Sequence, residues 1–339
     1  MSLSGADESL DQVGGLVEQF TAAGYRELWT SELTGSDAFA PLLAAAAGRP
    51  WLRLGTAVAG VFTRSPGLLA MQSLSLAEAS AHPVFVGIGA SSQAMVTGWH
   101  GVPYAKPYTR VRDTARFLRR AFEGDRVTFR SDSFDIDGFR LARTPPRRPR
   151  VLIAALRERM LRLAGAEADG VVLNWLSPGD VQRVAPLVLD GDPDADIVAR
   201  LFVVAAADRQ AARDHARRFV TGYLTSGVYA AHQVWLGRGP ALEPMWRAWQ
   251  AGDRKAALAA VPDHLVDDLF LTGDEAQVRA GVADYIAAGV TRPVISVVGP
   301  DPDLARGLLL RLGAAVDAAP GPAHNNQLIG GKRGRRPAR

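Results

Sequence analysis

Residues 82 to 114 read HPVFVGIGASSQAMVTGWHGVPYAKPYTRVRDT, and the prediction of the fold starts from this segment. It opens with a continuous apolar run, Pro83 to Ile88, which is typical of a strand buried on both faces. The small residues Ala90 to Ser92 follow the strand, and a basic amphipathic helix is predicted from about Thr109 to Phe122. The loop at the end of this strand therefore places backbone groups and serine hydroxyls at one rim of the fold. That rim is the functional site if the other strands end there too.

The same strand–helix unit recurs along the chain. A short extended piece at Ser2–Ser4 precedes the predicted strands Glu27–Ser31, Trp51–Gly60, Val84–Gly89, Arg150–Ala155, Gly170–Leu176, Ile197–Ala206 and Thr291–Val298. Apolar strands joined by helices are typical of parallel pairing. The count of eight favours a closed (β/α)8 TIM barrel over an open doubly wound sheet, and the length of 339 residues fits a barrel with insertions.

Two insertions and one tail complete the predicted organisation. A long helical region, Arg209 to Ala260, is placed between the seventh and eighth strands, and Val127 to Pro149 is a small excursion that suggests a hairpin around Asp137-Gly138. Residues 1–316 are expected to form a single barrel domain. Residues 317–339 are basic and rich in Pro, Gly and Asn, which predicts a disordered tail.

The composition excludes several classes of protein. Cysteine is absent, which removes disulfides, thiolate metal sites and thiol catalysis. No apolar run approaches the ~18 residues of a membrane span, and the first residues lack a signal pattern, so we expect a cytoplasmic protein without a membrane partner. The net charge of +4 lies partly in the tail, and no basic reading helix is present, which argues against nucleic acid as a partner.

The strand ends carry few catalytic groups. No lysine follows a strand, which disfavours a Schiff-base aldolase, and no closely spaced histidine pair suggests a metal site. Glu32 stands alone, whereas a glycosidase needs two carboxylates. Apolar, small and hydroxyl side chains remain, together with Arg157, Asn174 and Trp175. That set suits a flat aromatic cofactor that carries its own chemistry.

Each candidate also has a purely structural interpretation. Glycine pairs such as Gly87-x-Gly89 often mark turns. Arg157, at a helix start, either holds a phosphate beside free backbone N–H groups or is simply solvated. Trp175 is either a stacking wall for a ring or a packing residue at the rim. Asn174 is either a polar contact to the ring or a strand-end cap.

Four motifs carry a resemblance to a known family. They read LWTSELTGSDAF at 28–39, LRLGTAVAGVFTRSP at 52–66, VGIGASSQAMVTGWHGVPYAKPYTRVRD at 86–113 and ERMLRLAGAEADGVVLNWLSP at 158–178. From Leu10 to about Gly313 the chain resembles the luciferase-like monooxygenase superfamily, and more narrowly its deazaflavin-dependent oxidoreductases. The resemblance implies a luciferase-like (β/α)8 barrel with an insertion and a homodimer.

The resemblance also implies roles for particular residues. Deazaflavin-dependent members rest the ring on a strand bulge with a non-proline cis peptide, and the matching pair here is Ala57-Val58. The coenzyme phosphate lies against the turn after the fifth strand, where relatives often have Gly-Pro and this chain has Arg157-Glu158. Sugar-dehydrogenating relatives use a His and a Glu where this chain has Leu33 and Ala90, so oxidation of a sugar phosphate is disfavoured.

Together these observations predict a cofactor site and a reaction. The expected cofactor-binding residues are Glu32, Ala57, Val58, Gly89, Ala90, Ser91, Ser92, Leu156, Arg157, Asn174 and Trp175. The first hypothesis is hydride transfer between the deazaflavin coenzyme F420 and a small organic substrate, with no proton donor assigned. The alternatives are an FMN-dependent monooxygenase of the same superfamily and a non-catalytic cofactor-binding barrel.

Overall fold

The protein is built around a parallel β-sheet. The computed structural model describes residues 1–4 and 9–316. In this part of the chain nine strands form the sheet, in the order β1-β2-β3-β4-β7-β8-β9, and both β10 and β11 pair with β9. The strands are β1 Ser2–Ser4, β2 Glu27–Ser31, β3 Arg53–Gly60, β4 Phe85–Gly89, β5 Val127–Arg130, β6 Asp135–Phe139, β7 Arg150–Ala154, β8 Gly170–Leu173, β9 Asp196–Val204, β10 Phe270–Leu271 and β11 Arg292–Val298.

Helices follow the strands, and most of them cover the outer face of the sheet. They are α1 Leu10–Ala22, α2 Ala40–Ala46, α3 Pro66–Ala79, α4 Pro107–Phe122, α5 Glu158–Glu167, α6 Pro178–Leu189, α7 Arg209–Leu224, α8 Gly227–Trp235, α9 Gly239–Gln250, α10 Arg254–Ala259, α11 Asp263–Leu269, α12 Glu275–Ala287 and α13 Pro302–Val316. A π-helical turn, Ala94–Trp99, comes after β4. Capping boxes at Ser177 and Asp274 start α6 and α12, because each side chain accepts a hydrogen bond from a free backbone N–H of the first turn.

The inward face of the sheet begins with an apolar layer. Its members are Trp29, Phe85, Leu152, Val172, Val198 and Val294. The Trp29 ring stacks on Phe85 with 5.3 Å between ring centroids. Gly55 makes room for it, because a Cβ at this glycine would lie 2.4 Å from the nearest ring carbon. The layer closes the interior, so any cavity has to lie beyond it, toward the carboxyl ends of the strands.

A buried ion-pair network lies beneath this layer, at the amino ends of the strands. Arg292 on β11 contacts Glu27 on β2 at 2.7 Å and Asp196 on β9 at 2.8 Å. Arg150 on β7 also pairs with Asp196, at 2.7 Å. The Arg292 guanidinium lies 4.2 Å from the centre of the Phe85 ring. The network joins strands from both ends of the sheet order, so the parallel sheet is curled.

The strand predictions hold, with corrections at the edges. The hairpin exists, but its turn lies at 131–134, where the Ser131 hydroxyl accepts from the Ser133 N–H at 3.1 Å. The expected turn residues Asp137-Gly138 lie inside β6. β8 ends at Leu173, three residues earlier than expected. The predicted tail at 317–339 lies outside the described residues, and within them no helix is long and apolar enough to cross a bilayer.

Removal of the Arg292 guanidinium should destabilise the fold strongly. In Arg292→Leu the half-buried Glu27 carboxylate and the buried Asp196 carboxylate each lose a partner, and we expect the free energy of unfolding to fall by about 3 kcal/mol. Arg247→Leu is the control, because Arg247 pairs with Glu243 on an exposed helix surface and its loss should cost under ~1 kcal/mol. Denaturant unfolding of both variants measures the difference. Equal losses would show that the network does not stabilise the sheet.

Candidate active site

A cavity of about 860 Å³ opens at the carboxyl ends of the strands. The sequence-predicted residues that line it are Glu32, Ala57, Val58, Gly89, Ala90, Ser91, Ser92, Leu156, Arg157 and Asn174. The structure thus brings together every predicted site residue except Trp175. Residues of α7 and α8, among them Tyr223 and Tyr229, form a further wall that the sequence analysis did not anticipate.

The bulge on β3 forms one wall of the cavity. The Ala57-Val58 peptide is cis, and the register with β4 shifts between Thr56 and Ala59, as the resemblance implied. Gly87 and Gly89 on β4 leave room for the bulge because they have no side chains. A Cβ at Gly87 would lie 2.1 Å from the Thr56 carbonyl oxygen, and one at Gly89 would lie 2.8 Å from a methyl carbon of Val58. The two glycines therefore let the Val58 side chain lie against β4 as an apolar surface.

Glu32 lies at the cavity wall but is already engaged. Two nitrogens of Arg64 contact its two carboxylate oxygens, each at 2.5 Å, and the Gly60 N–H donates to it at 3.3 Å. The pair is largely buried and fixes the loop after β2 to the loop after β3. A carboxylate held in this bidentate way is not free to act as a base.

Trp175 does not line the cavity, and its predicted place at the rim is corrected. Its side chain is 1% exposed and stacks on Phe202, with ring centroids 4.2 Å apart and planes 12° apart. Tyr223 and Phe270 also contact it, so it belongs to the core beneath the helices after β9. Because φ is +60° at Trp175, the chain turns sharply after Asn174 and takes the indole behind the wall.

The mouth of the cavity is cationic. Arg157 is exposed, and within the described chain its guanidinium has no ion-pair or hydrogen-bond partner. It precedes α5 without a side-chain cap, so the first two backbone N–H groups of that helix, those of Glu158 and Arg159, have no partner among the described residues. Ser91 and Ser92 lie on the same cavity. Free N–H groups beside an arginine are suited to a phosphate group.

Arg200 on β9 is a site residue that the sequence analysis missed. It lines the cavity just above the apolar layer, and its Nη2 donates to the Ser296 hydroxyl at 3.1 Å. Its Nε has no hydrogen-bond partner, and in the described part of the chain no carboxylate pairs with it. The available signal was one arginine inside Asp196–Val204, a strand that is otherwise apolar after its first residue.

Burial sets the electrostatics of the cavity floor. It lowers the pKa of the Arg200 guanidinium, although the ordinary value is so high that the group stays charged at neutral pH. Burial raises the pKa of the Tyr229 hydroxyl, which therefore remains a protonated donor next to Asn174. The Asn174 Oδ1 atom is buried and accepts no hydrogen bond from any residue that the structure describes. The floor thus holds a cation and neutral polar groups.

His232 on α8 is buried behind this floor. Its ring lies beside the backbone of Leu156 and Asn174, and neither ring nitrogen has a hydrogen-bond partner within the described residues. Burial lowers its pKa to about 4, so the ring is neutral at pH 7. His232 is a packing residue behind two loops that line the cavity. Among the described residues, no three His, Cys, Asp or Glu side chains come together to hold a metal ion.

Comparisons with known proteins give a matching family model and several similar proteins. The model of the luciferase-like monooxygenase family matches residues 1–292. A Mycobacterium tuberculosis protein, provisionally named a coenzyme F420-dependent oxidoreductase, is 27% identical over 83% of this chain and 89% of its own. The 5,10-methylenetetrahydromethanopterin reductase of Archaeoglobus fulgidus is 28% identical over 82% of this chain and 87% of its own.

A solved structure supports the fold. The coenzyme F420-dependent tetrahydromethanopterin reductase of Methanopyrus kandleri superposes with a TM-score of 0.75 over 94% of this chain and 97% of its own. The two sequences are 19% identical. The luciferase-like, TIM-barrel-like architecture expected from the sequence is therefore confirmed at the level of a curled parallel sheet with outer helices.

A methyl group at Gly87 should disrupt the bulge. In Gly87→Ala the new Cβ meets backbone, which cannot move aside cheaply, and we expect the free energy of unfolding to fall by about 2–3 kcal/mol. Gly15→Ala is the control, because Gly15 lies on exposed α1 with nothing within 4 Å, and it should gain ~0.5–1 kcal/mol. Denaturant titration measures both. A Gly87→Ala protein as stable as wild type would contradict the close contact.

His232 should make stability depend on pH in a defined window. The unfolded chain takes up the histidine proton near its ordinary pKa of 6.5, whereas the folded protein does so only near 4. The unfolded state therefore binds more protons between these values, and the free energy of unfolding falls as pH decreases through that window. Compared with His232→Gln, wild type should lose about 2.5 kcal/mol more between pH 7 and pH 4.5. Parallel curves for the two proteins would refute this expectation.

Proposed function

The chain belongs to the luciferase-like monooxygenase family, and from this premise we propose that it transfers a hydride between the deazaflavin coenzyme F420 and a small organic substrate. The observation that carries the proposal is the cavity itself. It combines an apolar ledge at Val58, opposed by other apolar and small side chains, with a cationic mouth at Arg157. A flat ring that bears a phosphate side chain fits this combination of surfaces. The relatives named for F420 chemistry add independent support.

Specific residues would hold the coenzyme. Ala57 and Val58 would support one face of the ring, because the glycine cradle presents them as a flat apolar surface. Arg157, Ser91 and Ser92 would bind the phosphate and neighbouring atoms, and Asn174 would contact the polar edge of the ring. When bound, the coenzyme supplies a carbon that accepts or donates the hydride.

The protein would hold coenzyme and substrate in position and exclude water from them. A rigid wall at Val58 fixes the distance between coenzyme and substrate, and orientation of this kind supplies a large part of the rate of such reactions. The apolar lining keeps water away from the reacting atoms. Glu32 is held by Arg64 and serves as a clamp between loops. The reaction therefore depends on placement by the cavity, with no general acid or base assigned.

The same proposal extends to the architecture. The sheet would close into a (β/α)8 barrel, with β11 beside β1, because Arg292 already links β11 to β2. Residues 1–316 would form one barrel domain, and α7–α11 would be its insertion between the last two barrel strands. A homodimer is proposed on the family resemblance alone. The family resemblance favours a cytoplasmic location.

Titration with coenzyme tests the function. We expect purified protein to bind F420, with a change in the coenzyme's fluorescence, and to bind FMN weakly or not at all. Arg157→Met should weaken F420 binding about 10–100-fold, because a charge-assisted contact to phosphate is lost. Arg306→Met, on the exposed surface of α13, is the matched control and should leave affinity unchanged. Preference for FMN would instead support a monooxygenase, and binding of neither would contradict the proposed function.

A further inference from the structure

Arg200 lies opposite the bulge. In the sheet order β4, β7 and β8 separate β3 from β9, and both β3 and β9 contribute to the same cavity. In a curled sheet, strands separated by three others face each other across the interior. Val58 is therefore on one wall and Arg200 on the other. Whatever lies between a ring resting on Val58 and the far wall meets the guanidinium.

The Arg200 side chain is half-buried and has no counter-ion among the described residues. Its Nη2 donates to the Ser296 hydroxyl, its buried Nε has no partner there, and the Phe202 ring lies 4.8 Å from its central carbon. A charge that is partly removed from water and has no ionic partner costs free energy unless something compensates it. The arginine is thus better explained by a ligand than by packing.

The carboxylates that line the cavity do not provide that compensation. Glu32 is bound to Arg64 at 2.5 Å, and Glu158 pairs with Arg162 at 2.9 Å near the mouth. The neighbours of Arg200 on the cavity wall are instead Asn174 and the Tyr223 and Tyr229 hydroxyls. This part of the cavity can donate several hydrogen bonds and carries a positive charge, so it is complementary to an anion.

We propose that Arg200 binds a carboxylate of the substrate and that the enzyme therefore acts on a small organic acid. Tyr229 donates a further hydrogen bond to the same group. The guanidinium presents a planar pair of donors that matches the two oxygens of a carboxylate. Ser296 orients that pair by accepting a hydrogen bond from Nη2. This assignment rests on the proposed function, because it takes the Val58 side of the cavity for the coenzyme.

The position of Arg200 separates it from the coenzyme phosphate. The phosphate is assigned to Arg157 and the start of α5 at the mouth, whereas Arg200 lies at the floor on the opposite wall. The two arginines therefore serve different ligands. Substitution of each should affect one ligand and spare the other.

Binding of a matched pair of probes tests the proposal. Benzoate and benzamide have nearly the same shape, but only benzoate is charged. We expect calorimetry on the F420-loaded wild type to show benzoate binding about 10–100-fold more tightly than benzamide. The preference should vanish in Arg200→Met and survive in part in Arg200→Lys, which keeps a positive charge. Arg157→Met should weaken F420 binding and leave the benzoate preference intact.

A milder variant protects the test against misfolding. Ser296→Ala removes the hydrogen bond to Arg200 and keeps the charge, so benzoate binding should weaken several-fold while benzamide binding stays unchanged. Thermal unfolding shows whether each variant is folded. If Arg200→Met fails to fold, the proposal is decided by Arg200→Lys and Ser296→Ala, and an unchanged benzoate preference in both would overturn it.

The outcomes for the two proposals are separable. Equal binding of benzoate and benzamide to wild type that binds F420 would overturn the carboxylate site and leave the proposed function standing. Loss of F420 affinity in Arg200→Met, with the benzoate preference retained, would assign Arg200 to the coenzyme and also overturn it. If wild type binds no F420, the proposed function fails. Benzoate binding by the coenzyme-free protein that depends on Arg200 would still support the anion site, and its absence would overturn both.

Discussion

The packing of Trp29 on Phe85 within the curled sheet is the contact on which the rest of the site depends. The two rings and their apolar neighbours fill the interior at one level. This is possible because Gly55 has no side chain and leaves room for the Trp29 ring. Parallel strands need such filling, because their inward side chains otherwise leave voids that cost stability. Below the layer the Arg292 network neutralises buried carboxylates. Above it the interior is left open, and the cavity begins there.

The candidate active site lies directly above the apolar layer, where side chains no longer fill the interior of the sheet. Small residues on β4 let the bulge of β3 form one wall, and Arg200 forms part of the opposite wall. The half-buried Arg200 guanidinium has no counter-ion in the described part of the chain, and the Glu32 carboxylate is already paired with Arg64, so the cavity has a positive floor. Arg157 gives it a positive mouth. The apolar wall at the β3 bulge thus suits a flat ring, and the positively charged wall at Arg200 suits the carboxylate of an acid.

Much of this could be predicted from the sequence, and the exceptions have physical reasons. Apolar runs such as Pro83 to Ile88 identify buried strands, and parallel strands bring their carboxyl ends together, so the lining was found. The position of Trp175 could not be predicted, because it depends on a positive φ and on aromatic partners far along the chain. Arg200 was missed because a strand buried on both faces shows no alternation that separates inside from outside. The tyrosines of α7 and α8 were missed because helix docking is not visible in local patterns.

A crystal structure of the protein with F420 bound would show whether the ring and the Arg200 side chain occupy separate parts of the cavity. We expect one face of the deazaflavin ring to lie on Val58, the phosphate to lie at Arg157, and open space to remain between the other face and Arg200. A ring in contact with Arg200, with the Val58 wall bare, would contradict the division of the cavity. A coenzyme bound outside the cavity would contradict the proposed function as a whole.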